Sequence, residues 1–115
     1  PMDMARMNEA AKALLGEHDF TAVSSAQRTS KTTVRRIYDA SVYRDVADPR
    51  VIQIEVTGNG FLYNMVRIIA GTLADIGRGR MPVSALADAL QKKDRTLAGV
   101  TAPPQGLSLM RVFYE

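Results

Sequence analysis

One long segment, residues 58–80 with the sequence GNGFLYNMVRIIAGTLADIGRGR, constrains the fold of this chain more than any other. Its apolar residues recur at spacings of three and four, which is the period of one face of an α-helix. We therefore predict a long amphipathic helix that follows a Gly-Asn-Gly turn and buries one face in a core. The residues of that face are Leu62, Met65, Val66, Ile69, Leu73 and Ile76.

A single cation, Arg67, lies in the middle of this predicted helix, at the edge of its apolar face. Tyr63 and Gly71 lie four residues before and after it, so the three share a neighbouring stripe, with Asn64 beside them. Burying an unpaired arginine is expensive in free energy. We therefore expect the Arg67 guanidinium to meet an acid, a phosphate or water.

The composition is that of one ordinary globular domain. The chain has 115 residues, of which 46% are hydrophobic, and this is enough for a modest core. It has no cysteine, which excludes disulfides and thiolate metal sites. The net charge of +3 permits an anionic partner without demonstrating one. No segment is apolar enough to span a bilayer, and the cytosol is the expected compartment.

The remaining patterns predict two shorter helices and three strands. Alternation of apolar and polar residues marks the strands, and capping residues mark the ends of the helices. In chain order we expect a helix from Asp3 to Gly16, strands at residues 32–43 and 51–57 joined as an antiparallel hairpin, the long helix, a helix from Pro82 to Lys93, and a strand at 107–114.

This order, α-β-β-α-α-β, predicts an α+β domain with a small, mainly antiparallel sheet and helices packed on one face. About three strands are expected, and residues 17–30 are interpreted as an irregular polar connection. Three strands make a thin sheet with exposed edges, so a further portion of sheet is expected beside them.

Few residues carry an obvious catalytic group. His18 is the only histidine, which excludes a histidine pair, and a polar contact in the loop after the first helix is the favoured interpretation. The acids are scattered through turns and exposed faces, and none is placed as a nucleophile or a base. The Gly58-Asn59-Gly60 turn lacks the lysine and hydroxyl of a phosphate-binding P-loop. The residues alone therefore indicate half of a site, with a positioned cation and no reacting group.

Four segments resemble the ordered motifs of one family, the tRNA pseudouridine synthase A family. Residues 61–73 with Gly77-x-Gly79 resemble its signature helix. LGEHDF at 15–20 resembles its G-x-H-D-F segment, and KTTVRRI at 31–37 resembles its K-T-x-x-R-x-I strand. TAPPQGLSL at 101–109 resembles its closing T-A-P-x-x-G-L-x-L. The resemblance covers nearly the whole chain, and four motifs in order argue against coincidence.

The resemblance implies that residues 1–115 are a single domain, the C-terminal half of an enzyme. The family's catalytic aspartate lies in an R-T-D-x-G motif of the N-terminal half, whereas Arg28-Thr29-Ser30 and Arg95-Thr96-Leu97 lack the acid. The family isomerises uridine to pseudouridine in the anticodon stem-loop of tRNA without a metal or an organic cofactor. Its aspartate attacks the nucleoside, the glycosidic bond breaks, and the uracil re-attaches through carbon. This chain alone is therefore expected to be inactive.

The same resemblance implies roles for four residues. Arg67 would pair with the catalytic aspartate of the other half, and Leu107 would line the pocket of the extruded base. Tyr63 and Asn64 would contact the aspartate's loop or the RNA, or else only pack the domain interface. The implied partners are tRNA and, in the complete protein, a second copy of the chain; the implied compartment is the cytoplasm, without a membrane.

Two other classes of function stay open from the sequence. The chain could be a non-catalytic RNA-binding module, since the α+β pattern and the basic composition suit that role, although it lacks a strand with interleaved aromatic residues. It could also be a structural dimerisation domain. An R-T-D-x-G motif upstream in the coding sequence would favour the enzyme.

Overall fold

The computed structural model describes residues 2–25 and 32–102, together with the backbone of residues 110–114. These residues form an α+β domain with one four-stranded sheet and three α-helices. The predicted class and the predicted order α-β-β-α-α-β are confirmed, and one further short strand is added. The elements are α1 (Met4–Ala11), β1 (Gly16–Asp19), β2 (Val34–Arg44), β3 (Ile52–Gly58), α2 (Met65–Gly77), α3 (Ala85–Lys92) and β4 (Met110–Tyr114).

The strands lie in the order β1-β2-β3-β4. The first three are antiparallel to their neighbours, and β4 is parallel to β3. β2 and β3 form the predicted hairpin, with Val42 opposite Ile54. Because β4 runs parallel to β3, the chain crosses over between them through α2 and α3. This crossover places the start of α2 directly after one of the two inner strands.

The segment at residues 17–30, expected to be irregular, begins with the edge strand β1. Residues 16–19 pair with residues 34–37 of β2. Gly16 has a φ of 95°, a conformation that glycine adopts without strain, and it turns the chain into the strand. The sequence Gly-Glu-His-Asp has little intrinsic strand preference, so pairing with β2 rather than local pattern forms this strand. The rest of that segment includes a 3₁₀ turn at Thr21–Val23.

The long helix begins later than its apolar pattern predicted. The Gly-Asn-Gly turn ends β3 instead of opening the helix: the Asn59 N–H donates to the Arg36 carbonyl, and the Asn59 side chain accepts from the Arg36 N–H. Asn64, with a φ of 60°, lies in the left-handed region and cannot continue a helix backwards. The helix therefore starts at Met65 and ends at Gly77, as the glycine signal predicted.

One hydrophobic core joins the helices to the sheet. Met7 and Leu14 from the first helical segment, Ile54 from β3 and Leu86 from α3 are all fully buried in it. Asp3 caps α1 as predicted, because its side chain accepts from the Arg6 N–H. Five of the six residues predicted for the buried face are buried, four of them in α2 and Leu62 just before it, whereas Val66 is only half-buried.

The two remaining predicted elements are confirmed with shorter bounds. Pro82 opens a turn, closed by the Ala85 N–H, and α3 itself begins at Ala85. The closing strand covers residues 110–114, and residues 107–109 of the prediction lie outside the described residues. No helix in the described ranges is both long enough and apolar enough to cross a membrane.

Candidate active site

Arg67 lies in the first turn of α2, close to the point where the chain leaves β3. The sequence pattern placed it in the middle of the helix, but the helix starts at Met65, so Arg67 is its third residue. Its side chain is half-buried beside the fully buried Ile68. The prediction that Arg67 lies at the edge of the apolar face is therefore confirmed.

Two hydrogen bonds fix the position of the Arg67 guanidinium. Its Nε–H donates to the Ala102 carbonyl at 2.8 Å, and its Nη1 donates to Asn64 Oδ1 at 3.3 Å. The backbones of the same two segments are also joined, because the Ala102 N–H donates to the Arg67 carbonyl at 3.0 Å. Between residues 2 and 102, excluding 26–31, no carboxylate forms an ion pair with Arg67. Among the described residues the guanidinium therefore contacts a carbonyl and an amide oxygen, and the expected acid, phosphate or water stays a prediction.

Asn64 connects Arg67 to the loop that precedes β2. Its Nδ2 donates to Ser25 Oγ at 3.0 Å while its Oδ1 accepts from Arg67. The Ser25 N–H donates in turn to the Tyr63 carbonyl at 3.1 Å. These contacts orient the amide so that its oxygen faces the cation, and they hold Asn64 in its left-handed conformation at the helix start.

Tyr63 is half-exposed, with 51% of its surface accessible. Its backbone belongs to the Ser25 contact, but its side chain is turned toward solvent beside Arg67's helix. An exposed aromatic ring is a surface that a second protein segment can cover. The structure thus brings Arg67, Asn64 and the Tyr63 backbone together, and Leu107 lies outside the described residues.

A second polar group lies at β1, around Asp19. Its Oδ1 accepts from the Thr33 hydroxyl at 2.6 Å and from the Thr21 N–H at 3.0 Å. The Thr33 hydroxyl, helped by that N–H and by the Lys93 ammonium, holds the pKa of Asp19 below its ordinary value. Asp19 is thereby kept as an ionised structural anchor and is poorly suited to proton transfer.

His18 makes the polar contact predicted for it, since its Nε2 lies 2.7 Å from the Leu15 carbonyl oxygen. Together with Asp19, Leu90 and Lys93 it borders an open recess of about 370 Å³ between β1 and α3. Asp45 acts in the turn between β2 and β3, where it accepts from the Asp48 N–H, and this bond lowers the pKa of Asp45. No group of three His, Cys, Asp or Glu side chains within the described ranges could hold a metal ion.

Sequence reasoning missed Ser25 and Ala102, the two contacts that are distant along the chain. One signal was available, because Gly71 weakens a helix in its interior and so indicates a close backbone approach. A Cβ at Gly71 would lie 1.8 Å from the Val100 carbonyl oxygen, so the segment that contains Ala102 does pass there. Nothing in the pattern around Ser25 marks it as a partner of Asn64.

Comparison with known proteins shows which family this chain resembles. A family profile described as tRNA pseudouridine synthase matches residues 10–115. The tRNA pseudouridine synthase A of Geotalea uraniireducens is 49% identical over 113 residues, which are 98% of this chain and 45% of that protein. Those of a Thermoanaerobacter species and of Listeria monocytogenes are 44% and 47% identical, over 99% of this chain and 46% of each protein.

The chain thus spans somewhat less than half the length of the curated relatives it matches. The profile covers more than nine-tenths of the chain, including all of the four-stranded sheet, α2 and Arg67. The four sequence motifs, the α+β fold and this match agree, and the chain belongs to the tRNA pseudouridine synthase family.

Proposed function

We propose that this chain is the C-terminal half of a tRNA pseudouridine synthase, which isomerises uridine to pseudouridine in the anticodon stem-loop. In this proposal the nucleophilic aspartate comes from residues outside the chain, and the complete protein acts as a cytoplasmic homodimer that binds tRNA. The net charge of +3 is compatible with a polyanionic substrate.

One observation supports this proposal above the others: two hydrogen bonds fix the Arg67 guanidinium, and its other donors have no partner within the described residues. A guanidinium has five N–H donors in a rigid fork. Only the Nε–H and one Nη1 donor have partners within the described part of the chain. The Nη2 group therefore has no partner within the described residues, and in this proposal it receives a carboxylate from another segment.

A carboxylate on this fork would be kept ionised. Hydrogen bonds from a permanent cation favour the charged form of the acid, so its pKa falls. The first turn of α2 adds the positive end of the helix dipole, which also favours an anion there. An ionised, oriented carboxylate is what nucleophilic attack on the nucleoside needs.

The other predicted site residues take distinct roles in this proposal. Asn64 orients the fork through its contact with Nη1, and Tyr63 offers its exposed ring to the aspartate's loop or to the RNA. Leu107 would line the pocket of the extruded base, as the family resemblance implies.

Arg67→Ala in the complete protein is the decisive experiment. Removing one partner of a buried charge pair costs about 3–5 kcal/mol, which is several hundred-fold or more in rate if all of it appears there. We expect turnover to fall by that factor while the Kd for tRNA changes only a few-fold. Turnover is measured as release of tritium from tRNA labelled at carbon 5 of uridine, and binding by filter retention.

Arg78→Ala is the matched control, because Arg78 follows the C-terminal end of the same helix and forms a partly exposed ion pair with Asp75. It removes an equal charge just beyond α2, and both rate and binding should stay near the unmodified values. Near-normal turnover in Arg67→Ala would reject the proposed role of Arg67. Equal losses of tRNA binding and rate would instead favour an RNA-binding role for this domain.

A further inference from the structure

Residues 98–102, which we call the strap, lie along α2 in the opposite direction to the helix. The Gly99 N–H donates to Thr72 Oγ1 at 2.8 Å, and three residues later the Ala102 N–H donates to the Arg67 carbonyl at 3.0 Å. The strap also contacts the Arg67 side chain, because the Ala102 carbonyl accepts the Arg67 Nε–H. The position of the guanidinium therefore depends on the position of the strap.

Thr72 is the buried attachment of the strap to the helix. It has no accessible surface, and its hydroxyl donates to the Ile68 carbonyl at 2.8 Å while accepting the Gly99 N–H. A hydroxyl is the group that can do both, with one donor and two lone pairs. Because Thr72 is fully buried, loss of the hydroxyl would leave the Gly99 N–H without this partner, and a movement of the strap would be needed to replace it.

Gly71 provides the space for this attachment. A Cβ at that position would lie 1.8 Å from the oxygen and 2.9 Å from the carbon of the Val100 carbonyl, both of which are backbone atoms. The Val100 side chain, 68% exposed, points away from the helix. Glycine weakens the helix interior relative to alanine, so its presence here is explained by the close approach.

A third attachment comes from outside the helix. Arg95 Nη1 donates to the Gly99 carbonyl at 2.7 Å, so Gly99 is bonded on both sides, by Thr72 and by Arg95. This second arginine is half-buried and closes the turn that leads from α3 into the strap. The start of the strap is thus held from two directions before the chain reaches Ala102.

We propose that Thr72 is a positioning residue for Arg67, acting through the strap with Gly71 as the space that permits it. The catalytic consequence rests on the function proposed above; the structural part does not. A misplacement of about 1 Å in a group that orients a reacting atom can cost about a hundred-fold in rate. Thr72 thereby influences turnover without touching the substrate or the nucleophile.

The first test measures the Arg67 Nε–H directly, by hydrogen exchange in the complete protein labelled with ¹⁵N-arginine. Thr72→Val keeps the shape but removes the hydroxyl, and we expect exchange of this proton to become about ten-fold faster or more, since its bond opens locally. Thr72→Ser keeps the hydroxyl and should retain most of the protection. Thr96→Val, which removes an exposed hydroxyl bonded to Asp94, is the control and should leave Arg67 unchanged.

The second test uses glycine. Gly71→Ala favours the helix but intrudes on the strap, so it should raise the exchange rate of the Arg67 Nε–H as Thr72→Val does. Gly77→Ala is the matched control in the same helix, because a Cβ there meets the flexible thioether of Met7 rather than backbone. Unchanged Arg67 exchange in a folded Thr72→Val or Gly71→Ala protein overturns the proposal. If neither variant folds, Arg95→Gln, at a half-buried position, decides it by the same measurement.

The kinetic readout separates this proposal from the proposed function. In the complete enzyme, Thr72→Val should lower kcat with KM for tRNA unchanged, and Thr72→Ser should restore it. If Arg67→Ala proves fully active, the proposed function fails, but the exchange measurement still tests whether Thr72 positions Arg67 through the strap. If Arg67→Ala is inactive but Thr72→Val loses neither exchange protection nor kcat, only the strap proposal fails.

Discussion

Two arginines contact the two ends of α2, and they use their guanidinium groups differently. Arg6, from α1, lies at the C-terminal end, where its Nε donates to the Ile76 carbonyl at 3.1 Å and its Nη2 to the Met81 carbonyl at 2.9 Å. Arg67 lies in the first turn, where its Nε and Nη1 are bonded and its Nη2 has no partner within the described residues. Both side chains are half-buried.

The helix dipole acts on a cation with opposite sign at these two positions. A cation at a helix C-terminus satisfies carbonyls that lack intrahelical partners and is stabilised by the negative end of the dipole. A cation in the first turn sits at the positive end, which is unfavourable by itself. Arg6 is thus explained by stability alone, whereas the position of Arg67 in the first turn is compatible with the carboxylate partner that we propose for it. The comparison teaches that burial alone does not separate two arginines on one helix, because the helix dipole acts on them with opposite sign.

The largest expected effect is a complete loss of activity in the isolated 115-residue chain. If the open fork of Arg67 awaits a carboxylate from another segment, this chain has a cation and no nucleophile. We expect no release of tritium from uridine-labelled tRNA with the pure chain, against readily measured release by the complete protein. Turnover by the chain alone would show that one of its own acids acts as the nucleophile, and Arg67 would then need no carboxylate from another segment.

The next effect concerns stability and turnover, on which the alanine variants of Arg6 and Arg67 should have opposite effects. Arg6→Ala in the complete protein should lower the free energy of unfolding by about 1.5–3 kcal/mol, because two carbonyls lose a charged donor, while turnover per folded molecule stays unchanged. Arg67→Ala should show the reverse, with a large loss of rate and a small loss of stability. Urea unfolding and tritium release measure the two quantities. A rate loss in Arg6→Ala that matches Arg67→Ala would remove the distinction.

Leu107 extends the comparison to the residues that follow the strap. Leu→Ala in a closed core costs about 2–5 kcal/mol, whereas a pocket wall open to substrate should cost less stability and more rate. We expect Leu107→Ala to lower turnover with only a small fall in melting temperature. Leu109→Ala is the companion variant, because strand register from sequence is uncertain by a residue or two. A steep fall in melting temperature with normal turnover would assign Leu107 to the core.

The smallest expected effect concerns Asp19, a charged group with a purely structural role. Its pKa is lowered in the folded state, chiefly by the Thr33 hydroxyl, so folding favours the ionised form. The stabilisation is therefore fully present above the ordinary value of 3.8 and is lost as the pH falls through the lowered pKa. Asp19→Asn should cost about 1 kcal/mol or less at pH 7, since the site is partly exposed.

Urea unfolding at pH 7 and at about pH 2.5 checks this expectation, because the two proteins should converge in stability at the acid end. Asp39→Asn, on an exposed part of β2, controls for the loss of one negative charge. A difference between Asp19→Asn and the unmodified protein that persists undiminished at low pH would contradict the assignment.

The sequence by itself determined the features that depend on local periodicity and local chemistry. The buried face of α2, the β2–β3 hairpin, the Asp3 cap and the position of Arg67 at the edge of an apolar stripe all follow from spacings within one element. These features follow from the sequence because a helix repeats every 3.6 residues and a strand every two. The spacing of apolar residues in each element therefore shows which face is buried. The family motifs were also legible there, since they are runs of neighbouring residues.

Only the tertiary structure decided what those elements contact. β1 is a strand because it pairs with β2. α2 begins at Met65 because Asn64 is in a left-handed conformation, and Asn64 is held there by Ser25, 39 residues away. Ala102 reached Arg67 across 35 residues of chain, through a helix whose Gly71 leaves room for the strap. Such contacts carry no period in the sequence, because they are fixed by packing between elements whose relative positions the local pattern does not encode.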